Sequence, residues 1–224
     1  FFGAILAVRY GNELDIHIED VLNRLQRKGK AGEALLKALS YIAAVHVLDT
    51  VRLSRNLLAT LLNRSRQEVL ESIIKPLGDE AFLSLSRDSI YTRHLEIARM
   101  VVQILAKNFS FDFEQIYVDL IQAARQAYNK DRYRQPPVVP DISNWNNLPA
   151  WFFFRDDPLF GNIELNNKRI GLLLAQALID VEPDNPVFYS KIATFYRKAG
   201  EPVTSTELMR ENFRRVIADR EYYY

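Results

Sequence analysis

Ala81-Phe82-Leu83-Ser84-Leu85-Ser86, then Arg87-Asp88-Ser89, then Ile90-Tyr91-Thr92: over these twelve residues the period of the sequence changes. Apolar and polar residues alternate, a polar triplet interrupts, and a short β-prone run returns. That pattern predicts a small β-hairpin. On both sides the spacing is helical. A helix is expected from about His94 to Lys107, and Phe113–Tyr128 follows with Asp112 as its cap. Upstream, Ser65 with Glu68 at the capping-box position opens a helix over Arg66–Ile74, which Pro76 and Gly78 are expected to end. Ser54 can cap Arg55–Leu62, and Glu33–Leu48 forms a strongly apolar helix behind the loop Lys28–Gly32. Helix, helix, helix, hairpin over residues 33–92 is the order of a winged-helix domain.

Further out, residues 3–10 and 14–25 have helical spacing with a break at Gly11-Asn12, and Ile16, Val21, Leu22 and Leu25 are placed on one face. After Tyr128, Pro136, Pro137, Pro140 and Pro149 crowd together with Trp145, Trp151 and Phe152-Phe153-Phe154. Residues 129–163 therefore read as a linker with docking aromatics. Helices are expected over Asn167–Asp180, Val187–Ala199 (ended by Gly200) and Thr206–Arg220. The fold class is mainly α: a helical segment (1–30), a winged helix with its packing helices (31–128), the linker, and a helical tail (164–224).

Composition narrows the functions. The chain has 224 residues, 48% hydrophobic and 25% charged, and a net charge of +1. Disorder is excluded by that apolar content. Nucleic-acid binding by bulk charge is disfavoured by the neutral balance. With no cysteine there is no disulfide, thiol nucleophile or thiolate zinc site, which suits a cytoplasmic location. The apolar opening Phe1–Val8 stops at Arg9, too short to span a bilayer, so no membrane partner is expected. Phe1-Phe2 reads as entry into the middle of a buried helix, and the expectation is that both ends are cut from a longer chain.

The tail resembles a tetratricopeptide array. Ala175–Asp180, the turn Glu182–Pro186, then Tyr189, Ala193, Tyr196 and Gly200 match about one and a half repeats, and a plain helical hairpin is the other reading. Either offers a surface for a protein trigger or for self-oligomerisation.

Ser86-Arg87-Asp88-Ser89-Ile90-Tyr91-Thr92-Arg93-His94-Leu95-Glu96-Ile97-Ala98 resembles the winged-helix region of bacterial STAND NTPases, the group that includes NLR-like antiphage defence proteins. Thr-Arg-His followed by Ile-Ala after the hairpin carries the resemblance. Ala4–Gly11 and the acidic helix with Glu19, Asp20, Leu22 and Leu25 stand in the expected order before it. The resemblance implies a winged helix that folds back on a nucleotide-binding domain, with a histidine on the β-phosphate of ADP holding the off state until ADP/ATP exchange permits oligomerisation. His94 matches that histidine, and Arg93 is the adjacent cation. An imidazole N–H at a helix start can donate to a phosphate oxygen. The plainer reading of His94 is a helix N-terminal residue packed on the wing.

The chain departs from the family in having no Gly-x-x-x-x-Gly-Lys-Ser/Thr and no apolar strand ending in paired acids. By itself it is expected to bind no cofactor and to carry no catalytic or metal residues. ATP or ADP would be held by a core before Phe1. A winged-helix DNA binder is the alternative, with Arg66–Ile74 as recognition helix, Arg64 beside it and Arg87 on the wing tip, but Glu68 and Glu71 oppose phosphate there. A helical interaction scaffold is a third reading. Arg125, Lys130, Arg132 and Arg134 read as a solvated helix end. His17 and His46 read as a surface and a helix-packing histidine. Asp156-Asp157 and Asp184 read as turn residues, and Tyr222–Tyr224 as packing residues.

Overall fold

The computed structural model describes residues 14–48, 53–80, 83–86, 89–131, 167–181, 186–198 and 200–221. The expectations for 3–10, Arg87, the linker aromatics, Asp156-Asp157, Asp184 and Tyr222–Tyr224 lie outside these residues.

The described chain is mainly helical with one small antiparallel sheet. Helix α1 is Leu14–Gln26 and α2 is Lys30–Val47. Strand β1, Leu53–Ser54, runs into α3, Arg55–Leu61. Helix α4 covers 66–79 in three parts: Arg66–Val69, a π turn Leu70–Ile74, and Lys75–Asp79. Strands β2 (Leu83–Ser86) and β3 (Ser89–Thr92) form the hairpin, with Ser86 opposite Ser89 and Leu83 opposite Thr92. Then come α5 (Leu95–Asn108), α6 (Phe113–Asp131), α7 (Asn167–Val181), α8 (Pro186–Lys198) and α9 (Pro202–Glu221).

Strand β1, which the sequence reading lacked, pairs antiparallel with β3 through Leu53 and Ile90, giving the sheet order β1-β3-β2. Helix, strand, helix, helix, strand, strand with the first strand on the last is winged-helix connectivity. Helix α2 is the core of it. Leu35, Leu39, Ile42 and Ala43 are buried with nearly every neighbour in its second half, because α1, α5, α6 and β3 all pack on it. Helix α6 buries Phe113, Ile116, Tyr117, Leu120, Ile121 and Ala124, an i, i+3, i+4, i+7 stripe. One side of α6 faces α2 and α3 and the other faces α7, where Arg169 reaches Glu114 at 2.8 Å.

Several boundaries move for local reasons. Helix α2 begins at Lys30, not Glu33: Gly29 takes the left-handed turn (φ 63°) and accepts the first helical N–H from Glu33 at 2.9 Å, so Gly32 lies inside the helix. Pro76 and Gly78 do not end α4. Pro76 has no N–H to give the preceding turn, and the wider π turn just before it takes up the misfit. Helix α9 begins at Pro202, a residue suited to the first helical position, with Glu201 accepting from Ser205 N–H. Ile16 is exposed. The buried face of α1 runs through Leu14, Ile18, Val21, Leu22 and Leu25. Helix α6 continues to Asp131, past the expected start of the linker at 129. The caps at Ser54, Ser65 and Asp112 form as expected, Ser65 and Glu68 making the reciprocal pair.

Two tyrosines tie α2 to α6. The Tyr117 hydroxyl donates to Ala44 O at 3.0 Å, and the Tyr41 hydroxyl donates to Asp119 at 2.7 Å. Burial, then the hydrogen bond to Asp119 and its negative charge, push the Tyr41 hydroxyl well above its ordinary value near 10. Burial alone pushes Tyr117 the same way. In the unfolded chain both ionise near pH 10, so the stability they contribute is present below that pH and is lost as pH rises above it. Each is expected to add a slope of about 1.4 kcal/mol per pH unit to the loss above pH 10. Urea unfolding at pH 9, 10 and 11 should show a shallower decline for Tyr41→Phe than for the parent chain.

Candidate functional site

The site lies where the wing ends and α5 begins. Thr92 closes β3, Arg93 follows, and His94 is the N-cap of α5 with extended backbone (φ −149°, ψ 148°). His94 Nδ1 accepts the Glu96 N–H at 3.2 Å, one of the helix-start donors that have no intrahelical partner. The His94 carbonyl takes the Ala98 N–H at 3.2 Å. An Nδ1 that accepts carries no proton, so the neutral ring holds its N–H at Nε2. Among the described residues nothing pairs with that Nε2–H, and the side chain is half-exposed. This differs from the simple expectation of a donor ring: one ring nitrogen is committed to the cap, and the other is the donor.

Arg93 is exposed. Its Nε–H donates to Leu83 O at 3.4 Å, which fixes the base of the guanidinium against β2, and it forms no ion pair among the described residues. A cation and an imidazole N–H thus stand side by side at the positive end of a 14-residue helix. The arrangement can donate hydrogen bonds to an anion.

A further residue joins from across the fold. His46, in the last turn of α2, has Nδ1 2.5 Å from Thr92 Oγ1, and its ring lies tilted against Tyr91 with centroids 5.8 Å apart. Thr92 is fully buried, and its hydroxyl donates to the His94 carbonyl at 2.9 Å. From sequence alone His46 reads only as a packing residue. It sits 46 residues before Thr92, and no spacing rule links the two.

On the face that the alternative, DNA-binding reading would use, several polar side chains pair with one another. Lys75 and Glu71 form an ion pair on α4, Gln67 donates to Glu71 at 3.0 Å, and Arg64 donates to Ser72 at 2.9 Å. Glu68 is held below the usual carboxylate range by its hydrogen bonds with Ser65, so it stays anionic on this face. His17 is exposed on α1. Among the described residues no group of three His, Asp or Glu side chains gathers to hold a metal.

In the tail, Ala175, Tyr189 and Ala193 are buried at the helix contacts, and Tyr196 is half-buried against them. Gly200 takes φ 89° after α8, and Ser205 Oγ donates to Ala193 O at 2.7 Å, which holds α9 against α8. Val203, Met209 and Phe213 of α9 are exposed. No helix among the described residues is long and apolar enough to cross a membrane. Comparison of the chain with protein-family models, with curated proteins and with solved structures gives no match.

Proposed function

We propose that the chain is the regulatory region of a STAND-type signal-transducing ATPase of prokaryotic defence, in which the winged helix reports the nucleotide state of a core outside these residues. ADP is the ligand of the off state. Arg93 and His94 reach its β-phosphate from the start of α5, and the tetratricopeptide-like tail receives a protein trigger or a second copy in the cytoplasm.

The observation that carries this reading is the division of labour on the His94 ring. Nδ1 caps α5, which leaves Nε2–H as a neutral donor on a half-exposed side chain beside an arginine that forms no ion pair among the described residues. Phosphate is the anion that such a pair suits, since charge-assisted donors and helix N-termini both favour it. DNA is the weaker reading because Glu68 is held anionic on the face that would meet the groove, and Lys75 on that face is already paired with Glu71.

Two substitutions separate cap from sensor. Asn is among the best N-cap residues, so His94→Asn keeps the cap and removes the outward N–H. His94→Ala removes both and should cost about 1 kcal/mol of stability. In the full-length protein, both should speed ADP release about tenfold or more, the loss of a hydrogen bond to a charged group. Stopped-flow release of a fluorescent ADP analogue is the measurement, and an unchanged rate in His94→Asn rejects the role of His94.

A further inference from the structure

We infer that Thr92 and His46 are positioning residues for His94, joined in a directed chain of hydrogen bonds that fixes where its donor stands. The inference rests on the reading of His94 just given and adds how that residue is held.

The directions follow from proton inventory. A carbonyl only accepts, so the 2.9 Å contact between Thr92 Oγ1 and His94 O uses the single Thr92 hydroxyl proton. Thr92 Oγ1 then has lone pairs but no proton for His46. The 2.5 Å contact to His46 Nδ1 must therefore be His46 Nδ1–H donating to Thr92. The two histidines are thus held in opposite forms, His46 with a proton on Nδ1 and His94 with its proton on Nε2.

The chain links three elements. His46 ends α2, Thr92 ends β3 and His94 starts α5. Both ends of the His94 unit are then pinned. Its carbonyl accepts from Thr92 Oγ1–H and Ala98 N–H, and its ring Nδ1 accepts from Glu96 N–H. Thr92 is buried, so the link to α2 is shielded from competing water. A shift of the hairpin relative to α2 would pull on the His94 carbonyl directly, and the donor at Nε2 would move with it.

The first test needs no nucleotide. Long-range proton–nitrogen spectra of the chain with 15N-histidine, assigned by replacing His17, His46 and His94 singly, read the ring tautomers. The expected result is His46 protonated at Nδ1 and His94 at Nε2. Thr92→Val should release His46 toward the Nε2–H form and shift the His94 Nδ1 signal, and Thr92→Ser should restore both. A His46 ring with its proton on Nε2 in the parent chain, or ring signals unmoved by Thr92→Val, overturns the inference. If Thr92→Val fails to fold, His46→Leu removes the same link at a half-exposed position, and its effect on the His94 Nδ1 signal decides.

The second test uses ADP release from the full-length protein. Thr92→Val should accelerate it about three- to tenfold, the range for loss of one hydrogen bond, with rescue by Thr92→Ser. If His94→Asn accelerates release and Thr92→Val does not, positioning is wrong and the sensor stands. If His94→Asn has no effect, the sensor reading falls, and the tautomer spectra alone judge how the ring is held.

Discussion

Tyr117→Ala should lower the free energy of unfolding by about 3–5 kcal/mol, read by urea denaturation at neutral pH. Tyr117 is fully buried on α6, where that helix meets α2. The ring fills the space, and the hydroxyl has a separate task. At the end of α2 the Leu48 N–H bonds to Val45 O at 3.1 Å instead of reaching back to Ala44. The Ala44 carbonyl is thereby released from the helical ladder, and the Tyr117 hydroxyl donates to it at 3.0 Å. A buried carbonyl left without a donor costs about 1–3 kcal/mol, and the vacated ring volume adds the remainder. Tyr117→Phe isolates the first part and should cost about 1–2 kcal/mol. A loss in Tyr117→Ala no larger than in Tyr117→Phe would mean that the surrounding helices close the cavity.

Gly32→Ala should destabilise the chain by about 2–3 kcal/mol, against the usual preference for Ala over Gly inside a helix by about 1 kcal/mol. The reason is the crossing of α1 and α2. A Cβ on Gly32 would overlap the carbonyl oxygen of Leu25 and sit 2.8 Å from its carbon, and both are backbone atoms that no rotamer change can move. Relief requires separating the two helices, which uncovers Leu22 and Leu25, both fully buried. Gly78 is the control. It lies inside α4 with nothing within 4 Å of a built Cβ, so Gly78→Ala should stabilise by about 0.5–1 kcal/mol. Opposite signs for the two replacements in paired urea titrations are the expected result. Equal signs would mean that the helix crossing is loose.

These glycines also show what a sequence discloses. Features set by neighbours in the chain were legible: the hairpin over Leu83–Thr92, the caps at Ser54, Ser65 and Asp112, and the stop at Gly200. Each depends on residues within about ten positions of one another in the chain. Gly32 was misjudged because a glycine in a helix looks like a loop until the partner helix is known. Strand β1 has two residues and exists only through its pairing with β3, so no local period marks it. The start of α9 could have been found, since Gly200 followed by Pro202 is a stop and a start in sequence.

At the site, the position of Arg93 and His94 was legible and the chemistry of the ring was only half so. Histidine is not among the favoured capping residues, and nothing in Thr-Arg-His-Leu-Glu says which nitrogen meets the Glu96 N–H. The contribution of His46 depends on α2 passing behind the hairpin, a tertiary fact. Ile16 illustrates the reverse error: an apolar residue was assigned to a buried stripe that steps past it from Leu14 to Ile18.

The π turn at Leu70–Ile74 has a consequence for descent. A single wide turn holds one residue more than the helix around it needs, while the flanking stretches stay packed. Loss of one codon there would leave an ordinary α-helix of nearly the same span. In an alignment, relatives of this chain would then differ by a one-residue gap inside a helix, where gaps are normally treated as errors. Placing the gap within 70–74 would keep Ser65 and Leu83 in register on either side, and with them the approach to Arg93 and His94.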